Sequence, residues 1–299
     1  MKTYKNDWAL VLSGGGAMGL AHIGVLRGLE DAGFPRPSLV AGTSMGAIVG
    51  GLYAIGMSPE EMERFVIDEF NIADYLDSFV FKINGPFGRV IQTGQALAVL
   101  AGRPGIDPGQ RALELLESLT AGKRFEETGI PFRCNAVDLI SAREIVFNSG
   151  SLAKAMRASM SLPVFFEPFE YEGMCLVDGG LLNNMPVAIA RNEGFEKVLA
   201  VNVTNFAPAK PEELKNGPQV IFRSIDCVLH AQDEGGKAQA DLTLTIKLAA
   251  ALFSFYKQKE LIDIGKKAAS DNLDALEGFF RPRFHLSNRP PVVIESDHE

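Results

Sequence analysis

Gly42-Thr43-Ser44-Met45-Gly46 places a serine midway between two glycines. Between a strand and a helix, G-x-S-x-G makes a sharp turn that pushes the serine hydroxyl out of the backbone. Small flanking residues permit the bend, and the helix that follows points its positive end at the site. A serine hydroxyl attacks a carbonyl only when a base takes its proton. Asp178-Gly179-Gly180, which follows the apolar stretch 174–177, offers a carboxylate for that task. Alone, Asp-Gly is a common turn dipeptide. Beside a nucleophile it gains meaning, because strand ends are where α/β folds carry their sites.

Gly14-Gly15-Gly16-Ala17-Met18-Gly19 is the third candidate, also between an apolar run and a helical pattern. Glycines there leave main-chain N–H groups uncovered at a helix N-terminus, an arrangement that holds phosphate or the oxyanion of acyl transfer. G-x-G-x-x-G also matches the dinucleotide fingerprint, which needs an acidic residue at the end of the next strand. That strand ends Val40-Ala41-Gly42, without a carboxylate, and Leu20-Ala21 stands where a P-loop has Lys-Ser/Thr.

Histidine is the usual base for serine, and there are four. His22 falls inside the first helical pattern and reads as a packing or polar contact. His230 falls in a helical stretch, and His285 and His298 in the C-terminal tail. His285 fits the Ser–Asp–His order of an α/β-hydrolase. On the residues alone, a Ser–Asp–His triad and a Ser–Asp dyad both stay open. With no H-E-x-x-H, paired-cysteine or EF-hand pattern, neither a metal nor another cofactor is expected.

Turns of this kind need strands that end at them and helices that begin there. The continuous apolar run at 8–12 reads as a buried strand of a parallel sheet, and 39–41, 174–177 and 197–203 read as strands. Residues 132–137, 144–147 and 242–246 read as further strands. Helical spacing covers 20–33, 47–55, 152–160, 187–192, 220–232 and 261–276. Ser58-Pro59-Glu60-Glu61 has the cap, proline and capping-box glutamate of a helix start, and Asp107-Pro108 opens another helix. Residues 75–89, rich in phenylalanine and glycine, show no period and read as a flap or long loop. The alternation implies an α/β fold with a mainly parallel central sheet covered by helices on both faces. No repeat or linker divides the chain. The expectation is one domain over residues 1–299, with a core at about 8–276 and an irregular tail at 281–299.

The 299 residues carry a formal net charge of -8, with 46% hydrophobic and 22% charged residues. An acidic chain without a basic block is a poor nucleic-acid binder. Three cysteines, Cys134, Cys175 and Cys227, are an odd number without CxxC, which points to a reducing compartment. The first apolar run is too short for a signal peptide or a membrane span. A cytoplasmic protein is the expectation, with peripheral contact at membranes.

Together and in this order, the three turns resemble those of the patatin-like phospholipases, over about residues 8–276. Gly14 to Gly19 resembles their oxyanion motif, Gly42 to Gly46 their nucleophile motif, and Asp178-Gly179-Gly180 their aspartate motif. Ala158-Ser159-Met160-Ser161-Leu162-Pro163 is similar to the stretch these proteins carry before the aspartate. The short chain looks like those of the small bacterial members. The resemblance implies a three-layer α/β/α fold and a Ser44–Asp178 dyad without a catalytic histidine. It implies an oxyanion hole at Gly14, Gly15 and Gly16, in which Gly15 and Gly16 donate and Gly14 shapes the turn. Gly19, Gly42, Gly46, Gly179 and Gly180 would support the motifs.

The implied activity is hydrolysis of lipid acyl esters, of phospholipase A, lysophospholipase or esterase type. The implied partners are the lipid ester and, transiently, a membrane or micelle surface. Phe79, Phe81 and Phe87, and the apolar run 248–256, would then either belong to the core or cover an acyl pocket. One departure stands out: the family's loop often has Arg or Lys where this chain has Met18. The alternative is therefore a catalytically weak acyl-lipid binding or regulatory protein. An arginine at position 18 is expected to leave activity equal or higher, because a cation favours an oxyanion.

Overall fold

Strand β1 (Ala9–Leu12) is buried along its whole length, as a continuous apolar run in the middle of a parallel sheet must be. The computed structural model describes residues 7–77, 102–203, 208–248, 255–281 and 291–298. After β1 come a tight 3-10 turn (Gly16–Leu20), α1 (Ala21–Asp31), β2 (Leu39–Gly42), α2 (Met45–Ala54) and α3 (Pro59–Arg64). Next are β3 (Gly105–Asp107), α4 (Gln110–Thr120), β4 (Phe132–Asp138), β5 (Arg143–Phe147) and α5 (Leu152–Ser159). Short strands β6 (Val164–Phe166) and β7 (Phe169–Tyr171) precede β8 (Met174–Asp178), the single turn α6 (Gly180–Asn183) and α7 (Val187–Asn192). The described chain closes with β9 (Val198–Asn202), α8 (Gly217–Lys237), β10 (Leu242–Leu248), α9 (Gln258–Asp271), α10 (Leu273–Phe280) and β11 (Val292–His298).

The main sheet has nine strands in the order β11-β10-β9-β1-β2-β4-β8-β7, with β5 also on β4. Every pairing from β11 across to β4 is parallel, and those of β4 with β5, β4 with β8 and β8 with β7 are antiparallel. Alternation along the strands sends Leu10, Leu12, Val40 and Val201 into one apolar layer with α1, α2 and α9. Ala9, Val11, Leu39 and Ala200 face the other, with α7. The expected α/β/α sandwich is therefore present. At β1 the connections diverge, β2 lying on one side and β9 on the other, and such a switch point is where open α/β sheets bind ligands.

Register sets Asp178 beside Ser44. Gly42 pairs with Cys134 on β4, and Asp178 pairs with Ala136, two residues further along the same strand. Because β8 runs antiparallel to β4, its C-terminal end comes level with the turn that follows β2.

Several expectations need correction. The stretch 281–299 is not wholly irregular: β11 forms there and pairs with β10 from Leu242↔Val292 to Leu248↔His298. The core also passes residue 276, since Phe279 and Phe280 pack edge-on against the Trp8 indole. The expected helix 261–276 is two helices that meet at Asn272. Asp107 does not open a helix; it closes β3, and its carboxylate accepts the Gly109 N–H at 2.7 Å. The amides at the start of α4 go instead to Asp77 Oδ2, at 2.7 Å from Gln110 and 3.1 Å from Arg111. That cap comes from a distant residue, so no local pattern announces it. At α3 the local signal does work: Ser58 and Glu61 form the capping box. Phe79, Phe81 and Phe87, with the flap beyond Asp77, lie outside the described residues.

Candidate active site

The three glycine turns meet where the central strands β1 and β2 end, away from the edges of the sheet. Ser44 stands between β2 and α2 with φ 53° and ψ -122°, a backbone geometry that costs a non-glycine residue energy and is typical of a nucleophile elbow. Close approach explains the neighbouring glycines. A Cβ on Gly42 would lie 2.3 Å from the Gly46 carbonyl oxygen, and one on Gly46 would lie 2.4 Å from that of Leu12. Gly19 leaves room for the Met45 side chain, and Gly179 for Asn135.

The Ser44 hydroxyl donates to the Asp178 carboxylate, which also accepts the Gly180 N–H at 2.8 Å. Asp178 is 3% exposed. Burial raises its pKa to about 6, against the lowering effect of the two hydrogen bonds. A carboxylate so placed is ionised at neutral pH yet basic enough to take a proton.

In the oxyanion loop the glycines divide the work. The Gly14 N–H donates to the Asn184 carbonyl at 3.0 Å, so it is already committed. Gly14 serves close approach: a Cβ there would lie 3.3 Å from Ser44 Cβ. Its N–H is therefore not free for an oxyanion, and its place in the loop is that of the residue that shapes the turn. Gly15 and Gly16 face the cavity beside Ser44, and among the described residues no main-chain carbonyl takes their N–H groups. The loop is braced from below. Ser13 Oγ donates to the Gly14 carbonyl and accepts from the Val203 N–H. His22 Nε2 lies 2.9 Å from the Ser13 carbonyl. That oxygen can only accept, so Nε2 carries the proton. Burial lowers the His22 pKa to about 4, outweighing the opposite effect of this hydrogen bond, which leaves the ring neutral. His22 is thus the polar contact that its place in the helix suggested.

Met18 is not among the residues that line the cavity beside Ser44. It is 7% exposed and belongs to the apolar layer. A cation here would be desolvated before it could help catalysis.

Behind the elbow lies a polar network that the sequence reading missed. The Thr43 hydroxyl donates to Asn135 Oδ1 at 2.7 Å. Asn135 Nδ2 and Asn183 Nδ2 both donate to Glu144 Oε1 at 2.8 Å. Neighbours of the two reacting residues are thereby tied to β4 and β5. The segment 158–163 touches both of them: Ser159 Oγ accepts from the Ser44 N–H, and the Ser161 carbonyl accepts from the Asp178 N–H at 2.9 Å. Asn183-Asn184, just after Asp-Gly-Gly, was a legible signal, whereas Asn135 and Glu144 sit in strands with nothing to mark them.

From Ser44 and Asp178 a cavity runs inward, lined almost wholly by apolar side chains that include Leu52, Phe65, Leu116, Phe165 and Leu229. Phe255 also lines it, Leu248 is in the core and Tyr256 is 79% exposed, so the described ends of the apolar run 248–256 have three different fates. No described histidine lines the cavity. His285 lies outside the described residues.

A family model described as patatin-like phospholipase matches residues 10–191, which hold all three turns. The chain belongs to the patatin-like phospholipase family. Among patatin-like relatives, an uncharacterised NTE family protein of Mycobacterium tuberculosis is 31% identical over 207 residues, 69% of this chain and 52% of the relative. A protein named lysophospholipase NTE1, from Mycosarcoma maydis, is 32% identical over 204 residues, 68% of this chain but 10% of its own. The chain thus spans about half of the first relative and a tenth of the second. Of solved structures, VipD from Legionella pneumophila aligns with a TM-score of 0.50 at 16% identity, over 91% of this chain and 67% of that one. This likeness concerns the fold. Among the described residues, no helix of this patatin-like protein is long and apolar enough to cross a membrane.

Proposed function

We propose that this protein hydrolyses lipid acyl esters through a Ser44–Asp178 dyad. One observation carries the reading: the Ser44 hydroxyl donates to a buried, weakly acidic carboxylate at the head of an apolar cavity. Asp178 accepts the Ser44 proton as Ser44 Oγ attacks the acyl carbonyl. The carbonyl oxygen gains negative charge, and the N–H groups of Gly15 and Gly16 stabilise it. Collapse of the tetrahedral intermediate expels the alcohol, which takes the proton back from Asp178. Water then enters, gives a proton to Asp178 and attacks the acyl-enzyme; collapse of the second tetrahedral intermediate breaks the ester bond to Ser44 Oγ, which takes that proton from Asp178 as the fatty acid leaves. The acyl chain occupies the apolar cavity, where its transfer from water is favourable. The relative named as a lysophospholipase makes single-chain lipid esters the first substrates to try, with contact at a membrane or micelle surface during capture.

A fluorophosphonate probe tests the nucleophile. Mass spectrometry should find the label on Ser44, and both Ser44→Ala and Asp178→Asn should lower turnover of p-nitrophenyl esters by about 10³-fold or more. Labelling and turnover that persist in His285→Ala exclude a triad, and their loss would replace the dyad with one. Undiminished turnover in either dyad variant refutes the assignment.

A further inference from the structure

Next to the oxyanion and aspartate loops lies a second buried carboxylate that no motif announces. Asp233, on α8, is 1% exposed, and its Oδ1 accepts a 2.8 Å hydrogen bond from Asn184 Nδ2. Asn184 is equally buried and lines the cavity. Its main-chain carbonyl holds the Gly14 N–H. A Cβ on Gly14 would lie 2.3 Å from Asn184 Oδ1, and a Cβ on Gly180 would lie 2.7 Å from the same atom. The amide oxygen is therefore wedged between the loop that carries the oxyanion donors and the loop that carries Asp178. A side-chain amide has a donor end and an acceptor end of nearly equal shape, so its orientation depends on its partners. An ionised carboxylate only accepts. It selects the NH2 end of Asn184 and leaves the oxygen facing the two glycines.

We infer that Asp233 is a positioning residue for the ester hydrolysis proposed above: by fixing the Asn184 amide, it holds the Gly14–Gly16 loop and the Asp178–Gly180 loop at the spacing the reaction needs. The inference rests on the dyad reading and adds to it a residue that touches no reacting atom.

Titration offers a readout that a merely structural residue would not give. Burial raises the Asp233 pKa to about 7, and the Asn184 hydrogen bond lowers it. Lys237 and Glu234, on the same helix, act on it in opposite directions and pair with each other. Of the elements packed against α8, α6 has no titratable group, and α7 has Arg191, which is paired with Asp241. Asn202, at the end of β9, carries no charge, and its side-chain hydrogen bond also lowers the Asp233 pKa. As pH falls through about 7 the carboxyl gains a proton, can offer Asn184 a donor, and no longer selects one end of the amide.

The experiment measures p-nitrophenyl ester turnover per fluorophosphonate-labelled Ser44, from about pH 5 to 9, in wild type, Asp233→Ala and Asp233→Asn. The alanine variant should lose kcat by about 10²-fold at neutral pH, as small misplacements of reacting groups do, with KM within about twofold. In the Asp233→Asn variant the side chain both accepts and donates, as the protonated carboxyl does, so kcat should lie between those of the wild type and the alanine variant. The acid limb of Asp233→Asn should be that of one group, Asp178, where the wild type shows two. A kcat per labelled serine in Asp233→Ala within about twofold of wild type overturns the inference. So does an Asp233→Asn profile that superimposes on the wild type, and this arm decides if the alanine variant does not fold. Wild-type protein that neither labels nor turns over esters overturns the hydrolase reading, and this inference with it.

Discussion

The main-chain N–H of Ser44 donates to the hydroxyl oxygen of Ser159 at 2.9 Å. Ser44 is held in a left-handed conformation, which persists only where surrounding structure over-determines it. Ser159, fully buried at the end of α5, is one of the groups that do so. Replacing Ser159 with alanine leaves that amide without its acceptor. The expected outcome is a loss of kcat of about tenfold or more, with stability down by roughly 1–3 kcal/mol. Steady-state kinetics beside a thermal melt measures both. Unchanged kcat in a folded variant would mean that the elbow needs no help from α5.

Activity should fall as pH drops through about 6, because Asp178 must be ionised to take the Ser44 proton and burial holds its pKa there. The log of kcat/KM against pH tests this. An acid limb that stays near the ordinary carboxylate value of about 4 would show that Asp178 is solvated in the working enzyme.

The same shift makes a stability prediction. Folding favours the protonated form of Asp178, so its contribution is fully present below the unfolded value of about 4 and is lost as pH rises through about 6. Ionised and buried, Asp178 therefore costs stability at neutral pH. Asp178→Asn should be inactive yet more stable by on the order of 1–3 kcal/mol at neutral pH, with the gain vanishing in acid. Urea denaturation at two pH values checks both signs. A less stable variant at neutral pH would contradict the argument.

Met18→Arg should destabilise the protein, since the side chain at this position is 7% exposed within the apolar layer. A loss of roughly 2–5 kcal/mol fits a charge buried without a partner. Should the variant melt like wild type and hydrolyse esters faster, the guanidinium would have reached the oxyanion after all.

Helices α1 and α9 approach through glycine. A Cβ on Gly24 would lie 1.9 Å from the Ile262 carbonyl oxygen, and one on Gly265 would lie 1.9 Å from that of Ala21. Alanine at either position must push two backbones apart, at a cost of roughly 1–3 kcal/mol or more. Melting temperatures of Gly24→Ala and Gly265→Ala test this. Values at the wild-type level would show that the helix pair can part freely.

Local chemistry made much of this protein legible in one dimension. Apolar runs of five and three residues, each leading into a glycine turn, mark β1 and β2, because a strand buried on both faces has no polar side to show. The serine between Gly42 and Gly46, the glycines from Gly14 to Gly16 and the aspartate before Gly179 are visible for the same kind of reason. Each answers a demand of backbone geometry within a few residues, and such demands leave a local pattern.

Tertiary structure decided everything that depends on partners far apart in the chain. The cap of α4 by Asp77, the pairing of β11 with β10 and the register of β8 on β4 rest on contacts that no local spacing encodes. Burial is decided there too. It placed Met18 in the apolar layer and raised the pKa of Asp178, and it set Asp233 against Asn184. A side chain's charge cost depends on how much water the whole fold removes and on which distant group replaces it. Residue type alone carries neither quantity, which is why the reacting pair could be read from motifs while the residues that hold it in place could not.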